Sequence, residues 1–249
     1  MTDMQIKKQD YRGYERWDFL FEDRECILVQ PKEPAPGGKW LYKTEYFTAF
    51  PDFELEMLSR GWYVAHMKNI TRWVDPADTD ARPRFCEFLH EKFGLSQKCL
   101  PVGMSCGGME AVYFAAKYPD YVSALYLDAP VLNLLSCPFG LGRSKGQATT
   151  EKLLAEFTSV TGKTLEDVMV SLDHPMHHID ELLAARIPVF LVCGDSDMTV
   201  PYLENGKLLA DAYKASDVPF FEILKPGCDH HPHCLEDVTP LVEFAENFG

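Results

Sequence analysis

Gly103-Met104-Ser105-Cys106-Gly107 spells G-x-S-x-G, between a short apolar run (Lys98 to Val102) and a helical pattern that continues through Gly108 and Met109 to Lys117. A serine between strand and helix at this spacing sits on a sharp turn. The glycines two residues to either side lack the Cβ atoms that would collide there. The turn exposes the hydroxyl, and the first-turn N–H groups of the helix point at whatever negative charge develops nearby. A serine hydroxyl is a poor nucleophile at neutral pH, so this chemistry needs a base to take its proton and an acid to hold the base.

Both are found downstream. After the apolar run Pro188 to Cys193 comes Gly194-Asp195-Ser196-Asp197-Met198-Thr199-Val200-Pro201, and after Phe220 to Leu224 comes Lys225-Pro226-Gly227-Cys228-Asp229-His230. Chain order is serine, acid, histidine, with acid and base at the ends of successive strand-like runs. The candidate nucleophile is Ser105 and the candidate base His230; Asp195 and Asp197 are both available as the acid.

The elements that must position these groups alternate. Trp17 to Phe21 and Glu25 to Gln30 read as opening strands, and Tyr46 to Arg60 as a helix ending at Gly61. Trp62 to Met67 reads as a strand and Arg82 to Phe93 as a helix closed by Gly94. The elbow strand and helix follow, then a strand at Val122 to Leu127. Pro188 to Cys193 and Phe220 to Leu224 are strands flanking a helix near Tyr202 to Ala215, and Thr239 to Phe248 is a final helix. Alternation of this kind predicts an α/β fold, a mainly parallel sheet with helices on both faces, whose ligand site lies at the carboxyl ends of the strands. The alternation breaks between Ala129 and Arg186. Leu132 to Gly146 is rich in Gly, Pro and Ser, and Glu151 to Val160 and Leu165 to Leu172 have helical spacing. The reading is a single domain, residues 1–249, with a small helical lid or cap inserted at 130–186.

Composition narrows the function classes. The 249 residues carry 38 acidic against 24 basic side chains, a net charge of −14, which disfavours a nucleic-acid partner. No stretch approaches the roughly 18 apolar residues that span a membrane, and the polar segment Met1 to Tyr14 does not read as a secretory signal. The cysteines (26, 86, 99, 106, 137, 193, 228 and 234) are scattered, several within strand-like runs, so reduced thiols and a cytoplasmic location are expected.

The segments GMSCGG, GDSDMTVP and PGCDHHPH resemble the α/β-hydrolase superfamily, from about Glu25 to the C-terminus. PGGKW, GDSDMTVPYLENG and HHPHCLEDVTPLVEF are similar to a bacterial branch related to esterases and prolyl-oligopeptidase-like enzymes. Two positions depart from the usual pattern: Asp229 replaces the glycine before the histidine, and no H-G-G follows the early strand. The resemblance implies that Asp197, three residues past the strand-end glycine and just before Val-Pro, is the triad acid, leaving Asp195 to cap or support its loop. It implies an oxyanion hole built from the Cys106 backbone N–H and a donor from the loop after Glu25–Gln30. There Gly37-Gly38 precede Trp40, the candidate, with Lys39 the alternative. It also implies that the Cys106 thiol points away from the site.

The function expected is a serine hydrolase that cleaves a carboxylic ester of a small molecule, an acylated sugar included, through an acyl-enzyme on Ser105, with no cofactor. Trp40, Tyr42, Trp73 and Phe139 are candidate walls of an acyl or sugar pocket. A short-peptide or amide hydrolase is the alternative within this chemistry. Outside it stand a metal site at Cys228-Asp229-His230-His231-Pro232-His233-Cys234, with His174, His177 and His178 nearby, and a non-catalytic binding protein on the same fold. His231 and His233 otherwise read as loop anchors.

Overall fold

A computed structural model describes residues 5–142 and 151–249. The chain opens with an antiparallel meander: β1 (Lys7–Tyr11), β2 (Tyr14–Phe21) and β3 (Arg24–Gln30). The turns between them, Arg12-Gly13 and Glu22-Asp23, have positive φ at both central residues, the geometry that matches strand twist in a two-residue hairpin. Next come β4 (Trp40–Lys43), α1 (Asp52–Ser59), β5 (Tyr63–Met67), α2 (Pro76–Phe93), β6 (Leu100–Met104), α3 (Cys106–Lys117) and β7 (Leu125–Asp128). Then follow α4 (Glu151–Thr161), α5 (Leu165–Val170), α6 (Ile179–Ala184), β8 (Val189–Gly194), α7 (Gly206–Lys214), β9 (Phe220–Lys225) and α8 (Thr239–Phe248). They form one nine-stranded sheet in the order β1-β2-β3-β5-β4-β6-β7-β8-β9, parallel from β5 through β9.

Both faces of the sheet are covered. In β8, Val189, Leu191 and Cys193 join a core with α2, α3, α6 and α7, whereas Phe190 and Val192 join a second core with α1 and α8. A strand buried on both faces must be apolar at every position, which is why these runs read as continuous rather than alternating. A third apolar cluster lies at the C-terminal edge. There Trp73, Cys106, Met109, Leu134 and Cys137 pack with Phe157 of α4 and Val168 of α5.

Five elements differ from expectation. β1 was not foreseen. Nor was β4, whose four residues are all buried, Lys43 among them because it pairs with Glu54 inside the protein. Tyr46–Arg60 is helical only over α1; the residues before it form a loop in which Tyr46 and Phe50 have positive φ. α2 begins at Pro76 rather than near Arg82, because Asp75 caps it by accepting from the Ala77 N–H at 2.8 Å, and Pro83 lies inside the helix. α6, expected within the insertion, belongs to the sheet-covering layer, with Ile179 and Leu182 in the main core. The part of Leu132–Gly146 beyond residue 142 lies outside the described residues.

Candidate active site

Ser105 occupies the turn between β6 and α3 with φ 52° and ψ −119°, a backbone region that favours glycine. The neighbouring glycines make the turn possible. A Cβ on Gly103 would lie 2.6 Å from the Gly107 carbonyl oxygen, and one on Gly108 would lie 2.4 Å from the Pro130 Cβ. The Ser105 N–H donates to the carbonyl of Asp128, the last residue of β7, at 2.9 Å. The elbow is therefore tied to the adjacent strand.

The three groups expected from chain order meet at this edge. His230 Nε2 lies 3.0 Å from Ser105 Oγ, and its Nδ1 lies 2.8 Å from Asp197 Oδ2. Asp197 and His230 are both buried. Asp197 Oδ1 accepts from the N–H groups of Thr199 and Val200, each at 2.8 Å, so the carboxylate is held at both oxygens. Asp195 faces the other way, accepting from Ser196 Oγ and the Gly227 N–H at 2.8 Å. Replacing each aspartate by alanine is expected to separate their roles. Asp197→Ala should cost roughly 10³-fold or more in turnover, and Asp195→Ala far less; steady-state kinetics on one substrate decides it, and the reverse order would reassign the acid.

Asp229, which departs from the usual glycine, bridges the two loops. Its Oδ1 accepts from the Met198 N–H at 2.9 Å and the His230 N–H at 2.7 Å, and these bonds hold its carboxyl below the usual range. The acid loop and the histidine loop thus move together.

A cavity of about 350 Å³ opens beside Ser105, lined among others by Tyr46, Phe50, Arg72, Trp73, Leu153 and the three histidines 230, 231 and 233. Leu153 comes from α4, and Arg72 is clamped to Glu156 of the same helix, with Nε to Oε1 at 2.7 Å. Cys106 contributes a thiol that burial pushes up to about 11, a poor nucleophile at neutral pH. Its backbone N–H opens α3, where no intrahelical acceptor exists.

Trp40 does not belong to the site. It begins β4, at the opposite end of the sheet from Ser105, and its indole donates to the Ser96 carbonyl at 2.9 Å. Lys39 lies farther still from the strand's C-terminal end. Tyr42 is likewise core, its ring tilted against that of Trp40 at 5.7 Å. Of the four proposed aromatic walls, Trp73 lines the cavity and Phe139 packs on Phe157 behind it. The loop that approaches the elbow is the one after β4: Thr44 Oγ1 donates to the Gly107 carbonyl at 2.7 Å, and Tyr46 lines the cavity. Among the described residues, the Tyr46 N–H has only its neighbour Glu45 Oε1, at 3.3 Å. The signal that would have found it is the loop following the strand that pairs with β6, rather than the loop following β3.

The alternative metal site reduces, among the described residues, to three histidines. His230, His231 and His233 each place a ligand nitrogen within 4.8 Å of the others. Nδ1 of His230 and of His233 already face carboxylates, so an ion would take the Nε2 lone pair that His230 presents to Ser105. Chelator treatment is therefore expected to leave turnover unchanged, and added zinc to lower it. Activity lost to a chelator and restored by zinc would make the cluster a catalytic metal centre.

Residues 71–180 match the family model described as the alpha/beta hydrolase fold, a stretch that contains Ser105 and ends before Asp197 and His230. No curated protein sequence matches the chain. Similar solved structures include acetyl xylan esterase from Paenibacillus sp. R4, 16% identical, covering 99% of this chain and 89% of that one with a TM-score of 0.69. Est1E from Butyrivibrio proteoclasticus is 16% identical, with 97% and 96% covered and a TM-score of 0.59. Porphyromonas gingivalis dipeptidyl peptidase 4 is 12% identical over 99% of this chain, which spans 35% of that protein, with a TM-score of 0.65. At these identities the likeness is one of fold. Strand order, the matched family model and these structural likenesses together give this chain the α/β-hydrolase fold.

Proposed function

We propose that the protein is a serine hydrolase that cleaves a carboxylic ester of a small molecule through an acyl-enzyme on Ser105. The observation that carries this reading is the continuous chain from Ser105 Oγ through His230 to Asp197, at 3.0 and 2.8 Å, opening on a cavity. In the first half-reaction His230 Nε2 takes the Ser105 proton as the oxygen attacks the acyl carbon. The oxyanion is met by the Cys106 N–H and, from the loop after β4, by the Tyr46 N–H, released from Glu45. The imidazolium then protonates the leaving alkoxide, with its charge balanced by Asp197. In the second half-reaction water, deprotonated by His230, attacks the acyl carbon and Ser105 is regenerated.

Three features favour a small ester over a peptide. The cavity of about 350 Å³ suits a compact acyl group and alcohol. α4 and α5 close over it as a cap, contributing Leu153 to its wall. An alkoxide also leaves more readily than an amide nitrogen. The eight cysteines are all unpaired, in keeping with a reducing compartment such as the cytoplasm. No helix among the described residues is long and apolar enough to cross a membrane.

The test is a panel of short-chain acyl esters and aminoacyl amides, run beside labelling by a fluorophosphonate. The expected result is ester turnover and labelling, both abolished by Ser105→Ala. Faster cleavage of the amides would replace the ester reading with the peptidase one. A folded protein inert to the whole panel and to the probe would mean a binding role.

A further inference from the structure

We infer that His233 is a specificity-determining residue that accepts a hydrogen bond from a hydroxyl on the leaving group. This inference rests on the ester-hydrolase reading above and gives it a substrate class: esters whose alcohol carries a second hydroxyl close to the scissile oxygen.

The residue that positions it is Asp128. This aspartate ends β7, pairs in register with Met104, and is 1% exposed. Its main-chain carbonyl holds the Ser105 N–H, and its side chain holds the histidine loop. Oδ1 lies 2.6 Å from His233 Nδ1, and Oδ2 accepts from the Cys234 N–H at 2.7 Å and the Tyr126 hydroxyl at 2.9 Å. Burial pushes the Asp128 carboxyl up, but the bonds from His233 and Cys234 outweigh it and leave the group below its usual range. An ionised carboxylate only accepts, so the proton of the neutral imidazole sits on Nδ1. Nε2 is then left as a lone-pair acceptor.

Among the described residues nothing bonds Nε2, and the His233 ring lines the cavity. Anchoring the loop does not call for this arrangement. Asp128 already holds the Cys234 N–H, and Lys225 Nζ donates to the carbonyls of Pro232 and Cys234. The position within the cavity identifies what the acceptor meets. His230 Nε2 must hand its proton to the leaving oxygen, so the leaving group lies against His230. The His233 ring is the edge-on neighbour of His230, with centroids 4.8 Å apart, and Phe50 backs it at 5.3 Å. A hydroxyl two carbons from the leaving oxygen spans a separation of that size. An alkyl chain in the same place leaves the acceptor desolvated and unpaired, a penalty that separates the two kinds of ester.

The experiment compares 2-hydroxyethyl acetate with propyl acetate, which differ by a terminal hydroxyl in place of a methyl. In the unaltered protein kcat/KM is expected to favour the hydroxyethyl ester. His233→Leu is expected to lower that preference about ten- to a hundredfold. Asp128→Asn provides the second variant: its amide donates to Nδ1 and moves the ring proton to Nε2. Because a hydroxyl can also accept, the readout there is 2-methoxyethyl acetate, which only accepts and whose kcat/KM relative to propyl acetate is expected to rise in this variant. Because the readout is a ratio within one protein, partial loss of fold does not mimic it. An unaltered protein with no preference, or variants in which both esters decline together, would overturn the inference and leave His233 a loop anchor while the ester reading stands. Absence of turnover with either ester in the unaltered protein would remove both.

Discussion

Ser105→Ala is expected to lower ester turnover by roughly 10³- to 10⁶-fold while the protein stays folded. The size follows from the arrangement rather than from the serine alone. His230 and Asp197 are aligned on Oγ, and without that oxygen their alignment has nothing to act upon. His230→Ala should cost a similar factor, and the double variant little more than either single one, because the groups act as a unit. Ser105→Gly separates catalysis from stability. The nucleophile's φ of 52° with ψ −119° is costly for a residue with a Cβ and natural for glycine. This variant should be inert yet more stable than the unaltered protein, by about 1 kcal/mol, read as a higher Tm. Residual turnover within tenfold of the unaltered protein in Ser105→Ala would sink the proposed nucleophile.

Arg82→Met is expected to be the most damaging substitution for stability, at about 3–5 kcal/mol by urea unfolding. The guanidinium is fully buried and joins α2 to α3, donating to Tyr42 Oη at 2.8 Å, Asn69 Oδ1 at 2.9 Å and Glu110 Oε2 at 2.5 Å. Even with this partner, burial pushes Glu110 up to about 7, which shows how poorly the site tolerates an unneutralised charge. Removing Arg82 leaves the carboxyl alone in the core, whereas Arg82→Met with Glu110→Leu removes both charges and should recover most of the loss. Activity should decline as well. Asn69, held by Arg82, donates to the Thr44 carbonyl at 2.8 Å and to Glu45 Oε2 at 2.7 Å, and so fixes the loop that carries Tyr46. A single variant within 1 kcal/mol of the unaltered protein would show that the pair is dispensable.

What could be read in the chain were features whose cause is local. The elbow is a strand, a strained residue and glycines in succession, so its geometry is written in adjacent letters. Asp197 was reachable because it follows a buried strand whose apolar run is continuous, and His230 because it follows a second strand-like run, the half-exposed edge strand β9. β4 escaped for the opposite reason. Four residues are too few to establish a pattern, and Lys43 looked like a surface residue because its partner Glu54 is settled only by the fold. That one omission displaced the candidate oxyanion donor: taking the loop after β3 led to Trp40, whereas the strand beside β6 is β4 and its loop carries Tyr46, the donor proposed above. The pairing of Asp128 with His233, 105 residues apart, was hidden in the same way. The helix expected from Arg82 begins at Pro76 and carries Pro83 inside it, and a proline at N1 and a proline tolerated within a helix are the same letter.

The sheet order has a consequence for the chain as it is made. From β5 onward the strands are laid down almost in the order in which they leave the ribosome, each new one pairing with a predecessor already present, β4 and β5 being the one exchange. During synthesis the N-terminal strands are the first available to pair. The proposed nucleophile arrives with β6, the proposed acid after β8, and the proposed base only after β9. A nascent or stalled chain thus carries its nucleophile without the imidazole that activates it. On the proposed mechanism, hydrolytic power is withheld until synthesis of the sheet is complete.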